Sequence, residues 1–524
     1  MHRRDLMIGA AAAALGAPRI SFAQGARPLR VATHADLSIL DPMWTFAYIT
    51  RNHGFMVFDT LYGLDAGLTP RPQMVAGHTV EEDGRLWRLT LRDGLRFHDG
   101  TPVLARDCVA SIRRWWGADT FGQALAATTE ELSAPSDKVI QFRLKRPFPM
   151  LPAALGKASP YMCCIMPERL AATPQTTQVT EMVGSGPFRF VAEERVPGSR
   201  AVYRKFEGYV PDPGASDFLA GGKVVNFERV EWHTIPDAGT AAAALQAGEI
   251  DWWEQPSLDL LPTLRRNRNI VVETLDPSGT IGIFRFSALH PPFNNPAIRR
   301  AVLSAVDQSQ FMQAVAGEDR SLWRDKVGFF TPATAMASDV GTEGLTGPRD
   351  LEKVKRDLRA AGYNGERVVV LGATNIEPIN AMSLVMQDLL TRIGMNVDYV
   401  ATDWGSVMQR RTSQQPPERG GWSGFVGTWT GYDMLNPAVS VSLRGDGKPA
   451  GGWVNAPEIE RLRSAWFEAA DVAEQQRICR ELQVEAWKEV PLIPLGQWQT
   501  QTAHRRDIVD LPRGITAFWS VRRA

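Results

Sequence analysis

The sequence predicts an α/β protein of more than one domain, and three observations carry that reading. Its 524 residues exceed what one hydrophobic core organises, so two or three domains of about 150 residues each are expected. Residues 367–371 and 396–401 read as Val-rich strands flanking a helix at about 378–393. That β-α-β alternation calls for a mostly parallel sheet built by right-handed crossover. Thr240 to Gly248 reads as an Ala-rich helix with Gly248 as its C-cap, followed by a strand over Glu249 to Glu254.

Taken in order, the chain opens with a segment outside the fold. Arg3-Arg4-Asp5 begins a basic stretch, Leu6 to Ala17 is a short apolar run, and Ser21-Phe22-Ala23 puts small residues at −3 and −1 of a cleavage before Gln24. Residues 1–23 therefore read as an export signal. The paired arginines point to the twin-arginine (Tat) route, with Sec as the alternative. Residues 29–35 are a short strand, and Trp44 to Phe58 is mostly helical.

Asp83 to Trp116 is the most informative unit. Trp87, Leu89 and Leu91 alternate on one side of an extended chain. Arg92-Asp93-Gly94 reads as a tight turn, Leu95 to Phe97 as a returning strand, and His98 to Pro102 as a second turn. Cys108, Val109, Ile112 and Trp116 then recur at helical spacing. His98 and Asp99 could be a base and its orienter, but turn residues of this kind mostly satisfy backbone groups.

Val139 to Leu144 is a strand, and Gly184-Ser185-Gly186-Pro187 is a turn in which glycines allow a change of direction. It lacks the first glycine of a nucleophile elbow and the lysine of a phosphate loop. In EIDWWE (249–254), alternation puts Asp251 and Glu254 on opposite faces. Asn295 caps a helix with Pro296 at its first position, and Ile298, Ala301, Val302, Ala305 and Val306 form its apolar face. Asp350 to Ala361 is an amphipathic helix stopped by Gly362, and two helices follow at about 457–469 and 472–489.

Composition excludes several functions. Hydrophobic content of 44% with 22% charged residues describes a soluble globular chain. Formal net charge is zero, which gives no electrostatic reason for a nucleic-acid partner. Removing residues 1–23 takes away Arg3, Arg4, Arg19 and Asp5 and leaves the mature chain near −2. Cys108, Cys163, Cys164 and Cys479 form no disulfide framework and read as buried small residues. No His- or Cys-rich spacing calls for a metal, and no cofactor is expected.

LRDGLRFHDGTP followed by a basic helix resembles the signature of the family 5 extracellular solute-binding proteins, the periplasmic receptors of peptide, nickel and related ABC importers. Leu40-Asp41-Pro42, Phe58-Asp59-Thr60-Leu61-Tyr62, the Gly-Ser-Gly-Pro turn, Pro291-Pro292-Phe293 with Ile298-Arg299-Arg300-Ala301-Val302, and Ala361-Gly362-Tyr363 match in the same order. The resemblance implies a two-lobed periplasmic-binding-protein fold, type II-like, with an extra small α+β domain in the first lobe. Residues 24–65, 185–280 and 493–524 would form that lobe, 66–184 the small domain, and 281–492 the second lobe. It further implies a monomeric periplasmic receptor, not an enzyme, that closes on a small-molecule solute such as a peptide and hands it to an inner-membrane ABC permease. A metal or metallophore receptor and a secreted hydrolase are the alternatives.

The same resemblance directs attention to a tryptophan followed three residues later by an aspartate that, in relatives, anchors a peptide's α-ammonium. Here Trp429 to Pro437 occupies that place. Counted from Trp429, Tyr432 falls where the aspartate belongs; counted back from Pro437, Asp433 does, so the pattern is one residue long. Trp44 and Tyr48 stand where relatives present first-lobe cleft residues. Arg324, beside Trp323, and Trp422 lie in segments read as second-lobe loops and complete the candidate set.

Overall fold

The computed structural model describes residues 27–524. The export-signal reading (Arg3, Arg4, cleavage after Ala23) lies outside the described residues.

Three sheets organise the chain. The first has seven strands, in spatial order Phe188–Phe190, Arg200–Lys205, Arg229–His233, Leu29–Ala32, Trp252–Trp253, Thr502–Arg505 and Ile270–Glu273. Leu29–Ala32 runs parallel to both neighbours. The second has six, in order Trp323–Arg324, Leu492–Trp498, Thr280–Phe286, Gly424–Thr430, Arg367–Ala373 and Asn396–Thr402. Its Arg367–Ala373 strand is parallel to both neighbours, as the β-α-β pattern requires, with helix Glu377–Arg392 as the crossover. The third is an antiparallel sheet of Val75–Glu81, Leu86–Leu91, Val139–Leu144 and Thr129–Ser133, covered by helix Ala105–Ala118.

The first two sheets belong to separate lobes that the chain joins twice. Residues 274–279 lead from Ile270–Glu273 to Thr280–Phe286, and 499–501 lead back from Leu492–Trp498 to Thr502–Arg505. The strands before and after these crossings are neighbours in their sheets, so the two connectors run side by side. Gln501 Nε2 donates to Thr274 Oγ1 at 2.5 Å, bracing one against the other. Leu492–Trp498 is a strand of the second lobe; the expected boundary at 493 had given it to the first. Its seven residues are all buried, and a largely apolar strand without alternation carries no sign of which sheet will receive it.

Local signals explain many element ends. Asp237 Oδ1 accepts from Thr240 N at 2.7 Å and starts helix Ala238–Ala247; Gly248, at φ 75°, ends it. Asn295 caps Pro296–Ala305 through Ala297 N, and Ile298, Ala301, Val302, Ala305 and Val306 are all buried.

Two further expectations are corrected. Leu95 to Phe97 is not the partner of Leu86–Leu91, which pairs instead with Val75–Glu81 through a turn at Asp83-Gly84 and with Val139–Leu144. Residues 95–103 form a compact loop, with Phe97 N donating to Thr101 O and Val103 N to Leu95 O. On helix Ala105–Ala118 the buried ring is Trp115 rather than Trp116, because Trp115 continues the stripe of Cys108 and Ile112 and donates to the Tyr161 carbonyl at 2.7 Å.

The Gly184–Gly186 turn packs against the end of helix Tyr48–Val57. A Cβ on Gly184 would stand 2.0 Å from Val57 O, and one on Gly186 2.6 Å from Met56 O. Neither glycine has positive φ. Close approach of backbones, not turn geometry, demands them. His98 locks the same junction: its Nδ1 accepts from Gly184 N (3.3 Å) and its Nε2 donates to Gly186 O (3.0 Å). That is a structural duty, and burial holds the imidazole neutral with its pKa near 4.

Candidate functional site between the lobes

The segment 44–48 is half-buried, between a buried stretch at 41–43 and the buried remainder of helix Tyr48–Val57. It faces the C-terminal end of strand Gly424–Thr430 across the interlobe gap. Tyr48 Oη donates to Asp433 Oδ2 at 2.6 Å and accepts from Thr430 N at 2.9 Å. Thr430 Oγ1 donates to the same carboxylate oxygen at 2.7 Å. Asp433 also closes a capping box with Thr430 at the start of the turn Gly431–Met434, so one carboxylate both caps its own turn and ties the second lobe to the first. It is 4% exposed, and burial pushes its pKa up. Desolvation, the Asp433 charge and the hydrogen bond to it raise Tyr48 in turn, so the hydroxyl keeps its proton and remains the donor.

The neighbouring aromatic groups come from both lobes. Phe46 lies edge-on to Tyr161 (4.4 Å between centroids) and to Trp429 (5.9 Å). Trp429 is half-buried and its Nε1 donates to Ser442 Oγ at 3.0 Å. Tyr432 is buried and stacks on Phe218 of the first lobe at 5.2 Å. Its hydroxyl is turned towards Asp276. Arg51, 5% exposed, lies over the Tyr48 ring at 4.9 Å and donates to Asn52 Oδ1, with Nη1 buried and unpartnered.

Of the seven candidates, the structure brings Tyr48, Trp429, Tyr432 and Asp433 together. Trp44 adjoins them through its carbonyl, 3.4 Å from Tyr161 Oη. Trp422 is not in this constellation. At 2% exposure it packs against Phe425 and Trp453 inside the second lobe and donates its N–H to Arg411 O at 3.1 Å. The glycine-rich loop before it carries the ring inward. Arg324 lies elsewhere too, on the edge strand Trp323–Arg324, beside a separate hollow of about 420 Å³ lined with Arg320, Ser321, Trp323, Gln497 and Gln499. A larger hollow, about 560 Å³, opens where Trp87, Pro147 and Phe148 of the small domain face Phe467 to Ala470. It holds none of the interlobe hydrogen-bonding groups.

Sequence reasoning missed Phe46, Arg51, Tyr161 and Ser442. Phe46, between two candidates, was within reach of the same argument. Arg51, one helical turn past Tyr48, was within reach too; Tyr161 and Ser442 come from segments without a motif.

Among the described residues no group of three or more His, Cys, Asp or Glu could hold a metal ion. Asp251 and Glu254, the paired carboxylates of EIDWWE, are engaged separately: Asp251 by Arg27, Arg30 and Arg523, and Glu254 by His34. All four cysteines are buried and free.

Residues 69–450 match the family model described as bacterial extracellular solute-binding proteins, family 5 Middle. The chain belongs to that family. One relative, a probable peptide ABC transporter periplasmic-binding protein of Sinorhizobium fredii, is 36% identical over 534 residues, covering 100% of both chains. The glutathione-binding protein of Salmonella typhi is 23% identical over 511 residues, 95% of this chain and 93% of that one. Among solved structures, a periplasmic binding protein of A. tumefaciens R10 in complex with agropinic acid superposes with a TM-score of 0.79 at 20% identity, covering 95% of this chain and 99% of that one. The protein is thus a two-lobed periplasmic solute-binding receptor of an ABC transporter, and its relatives are binding proteins rather than enzymes. Among the described residues no helix is long and apolar enough to cross a membrane.

Proposed function

We propose that this receptor captures a peptide-like or similarly small organic solute between its lobes and delivers it, as a monomer without catalytic chemistry, to an inner-membrane permease. Phe46, Tyr48, Tyr161, Trp429 and Asp433 form the recognition surface. The observation that carries this reading is the junction of Tyr48 with Asp433 and Thr430. A hydroxyl from one lobe meets a buried carboxylate of the other beside three aromatic rings, and these are the groups that part and meet as such a receptor opens and closes. The names of the relatives, covering peptides and glutathione, support a peptide-like solute.

The lobes are best divided at the paired connectors 274–279 and 499–501, with the small domain within 66–184. Export follows the twin-arginine route on the strength of Arg3-Arg4; changing both to lysine should leave precursor in the cytoplasm, and undiminished export would assign the Sec route.

Native mass spectrometry of protein isolated from periplasm tests the central claim. A solute of discrete mass should be released on denaturation, and adding it back to stripped protein should raise the melting temperature, by about 2.7 kcal/mol of stability at 100 times Kd. Turnover of that solute into product would refute a pure receptor.

A further inference from the structure

The lobes also meet through residues that the Tyr48–Asp433 junction does not include. Helix Pro457–Glu468 is fixed in the second lobe, where its Arg463 donates to Leu443 O at 3.2 Å. It packs on helix Val472–Glu489, which is held in the same lobe by Gln483, donating to Ser338 O at 2.9 Å and Val340 O at 2.8 Å. From the end of the first of these helices, Phe467 reaches the small domain. Its ring stands 5.9 Å from Phe121 and stacks on Phe148 at 6.0 Å and 19°. Both partners are buried in the small domain, whereas Phe467 is half-buried. Beside the rings Arg146 pairs with Glu468, and both side chains are half-exposed. Thr120 Oγ1 donates to Ala438 O at 3.3 Å, and Gln475 Nε2 donates to Met150 Sδ at 3.5 Å.

This meeting is not packed as a permanent core. The hollow of about 560 Å³ lies between its walls, with Trp87, Pro147 and Phe148 on one side and Phe467 to Ala470 on the other. Protein interiors leave few voids larger than a water molecule. One half-buried ring, one exposed ion pair and two hydrogen bonds around a void have the make-up of surfaces that part, as contacts between mobile domains do. Parting strands no buried charge, because Arg146 and Glu468 already meet water.

We propose that the small domain is a second clasp for lobe closure, in which Phe467 seats against Phe121 and Phe148 and the Arg146–Glu468 pair guides the approach. The clasp touches no part of the recognition surface. It sets the balance of open and closed receptor before a solute arrives, so weakening it lowers the affinity for every solute by the same factor.

This inference rests on the receptor reading, and one experiment separates the two. Val196 of the first lobe and Leu384 of the second, both exposed, are replaced by Val196→Cys and Leu384→Cys and spin-labelled. The four native cysteines are buried and stay unlabelled. Pulsed electron spin resonance then gives the interlobe distance in protein as isolated and in protein stripped of solute by unfolding and refolding. In stripped protein Phe467→Ala should raise the ratio of open to closed form about tenfold, through loss of two aromatic contacts and the area they bury. Glu468→Arg, a surface change that leaves each lobe's core intact, should raise it about two- to fivefold by repulsion from Arg146. Combining it with Arg146→Glu should restore the original ratio. Unchanged populations in Phe467→Ala and in Glu468→Arg overturn the clasp, and a distance that still differs between isolated and stripped protein then leaves the receptor reading standing. One distance shared by both preparations and every variant removes both readings.

Discussion

Tyr48→Phe removes one oxygen and no other atom, at the point where the two lobes are hydrogen-bonded. That oxygen donates to Asp433 Oδ2 at 2.6 Å and accepts from Thr430 N at 2.9 Å. A hydrogen bond to a carboxylate contributes about 1.5–3 kcal/mol net. Asp433 keeps Thr430 Oγ1 at 2.7 Å, so it is weakened rather than stranded. When the lobes part, Tyr48, Thr430 and Asp433 all meet water, and the loss falls on the closed form alone. Solute binds that form, so the apparent Kd should rise by roughly 10–150-fold, at 1.4 kcal/mol per decade. Stability without solute should change by less than about 1 kcal/mol, since each lobe keeps its own core. Calorimetry with the released solute measures the first quantity and urea unfolding of stripped protein the second. An unchanged Kd beside a lowered urea midpoint would refute the argument and make Tyr48 part of the scaffold.

Three further outcomes are expected. Trp429→Ala should weaken solute binding with a modest stability loss, because the ring is half-buried, whereas Trp422→Ala should cost about 3–5 kcal/mol of folding stability without a direct contact to solute; equal unfolding costs would place Trp429 in the core. Burial lowers His53 to about 3 and His98 to about 4, so their contribution is complete above the unfolded value of about 6.5 and is lost as pH falls towards 4 and below. His98→Gln, which can still donate to Gly186 O, should therefore flatten the melting-temperature profile between pH 6.5 and 4, and an unaltered acid limb would exclude His98 as a cause. Gly184→Ala places a methyl 2.0 Å from Val57 O, between two backbones that cannot yield. It should destabilise by at least the roughly 1–3 kcal/mol typical of overpacking, read from the urea midpoint, and wild-type stability would show that the junction can open.

The sequence by itself determined the family, the two-lobed α/β class and the main helices, because each rests on local physics. Gly248 and Gly362 at positive φ, Asn295 as a cap, and the apolar face from Ile298 to Val306 act within a turn or two of chain. Part of the site was legible for the same reason: Trp429 and Asp433 stand in one short motif, and Tyr48 a few residues past Leu40-Asp41-Pro42. Tertiary structure decided the rest. The strand Leu492–Trp498 joins the second sheet because Thr280–Phe286 has a free edge there, a fact about a partner some 200 residues away. Trp422 and Trp429, seven residues apart and equally aromatic, part company because one ring turns into the lobe and the other meets Phe46 across the gap. Arg51 reads as an ordinary charge in the sequence, like its many neighbours. Only folding shows that burial removes its water and sets it over the Tyr48 ring, since desolvation and contact depend on what surrounds a group in space and not on what precedes it in the chain.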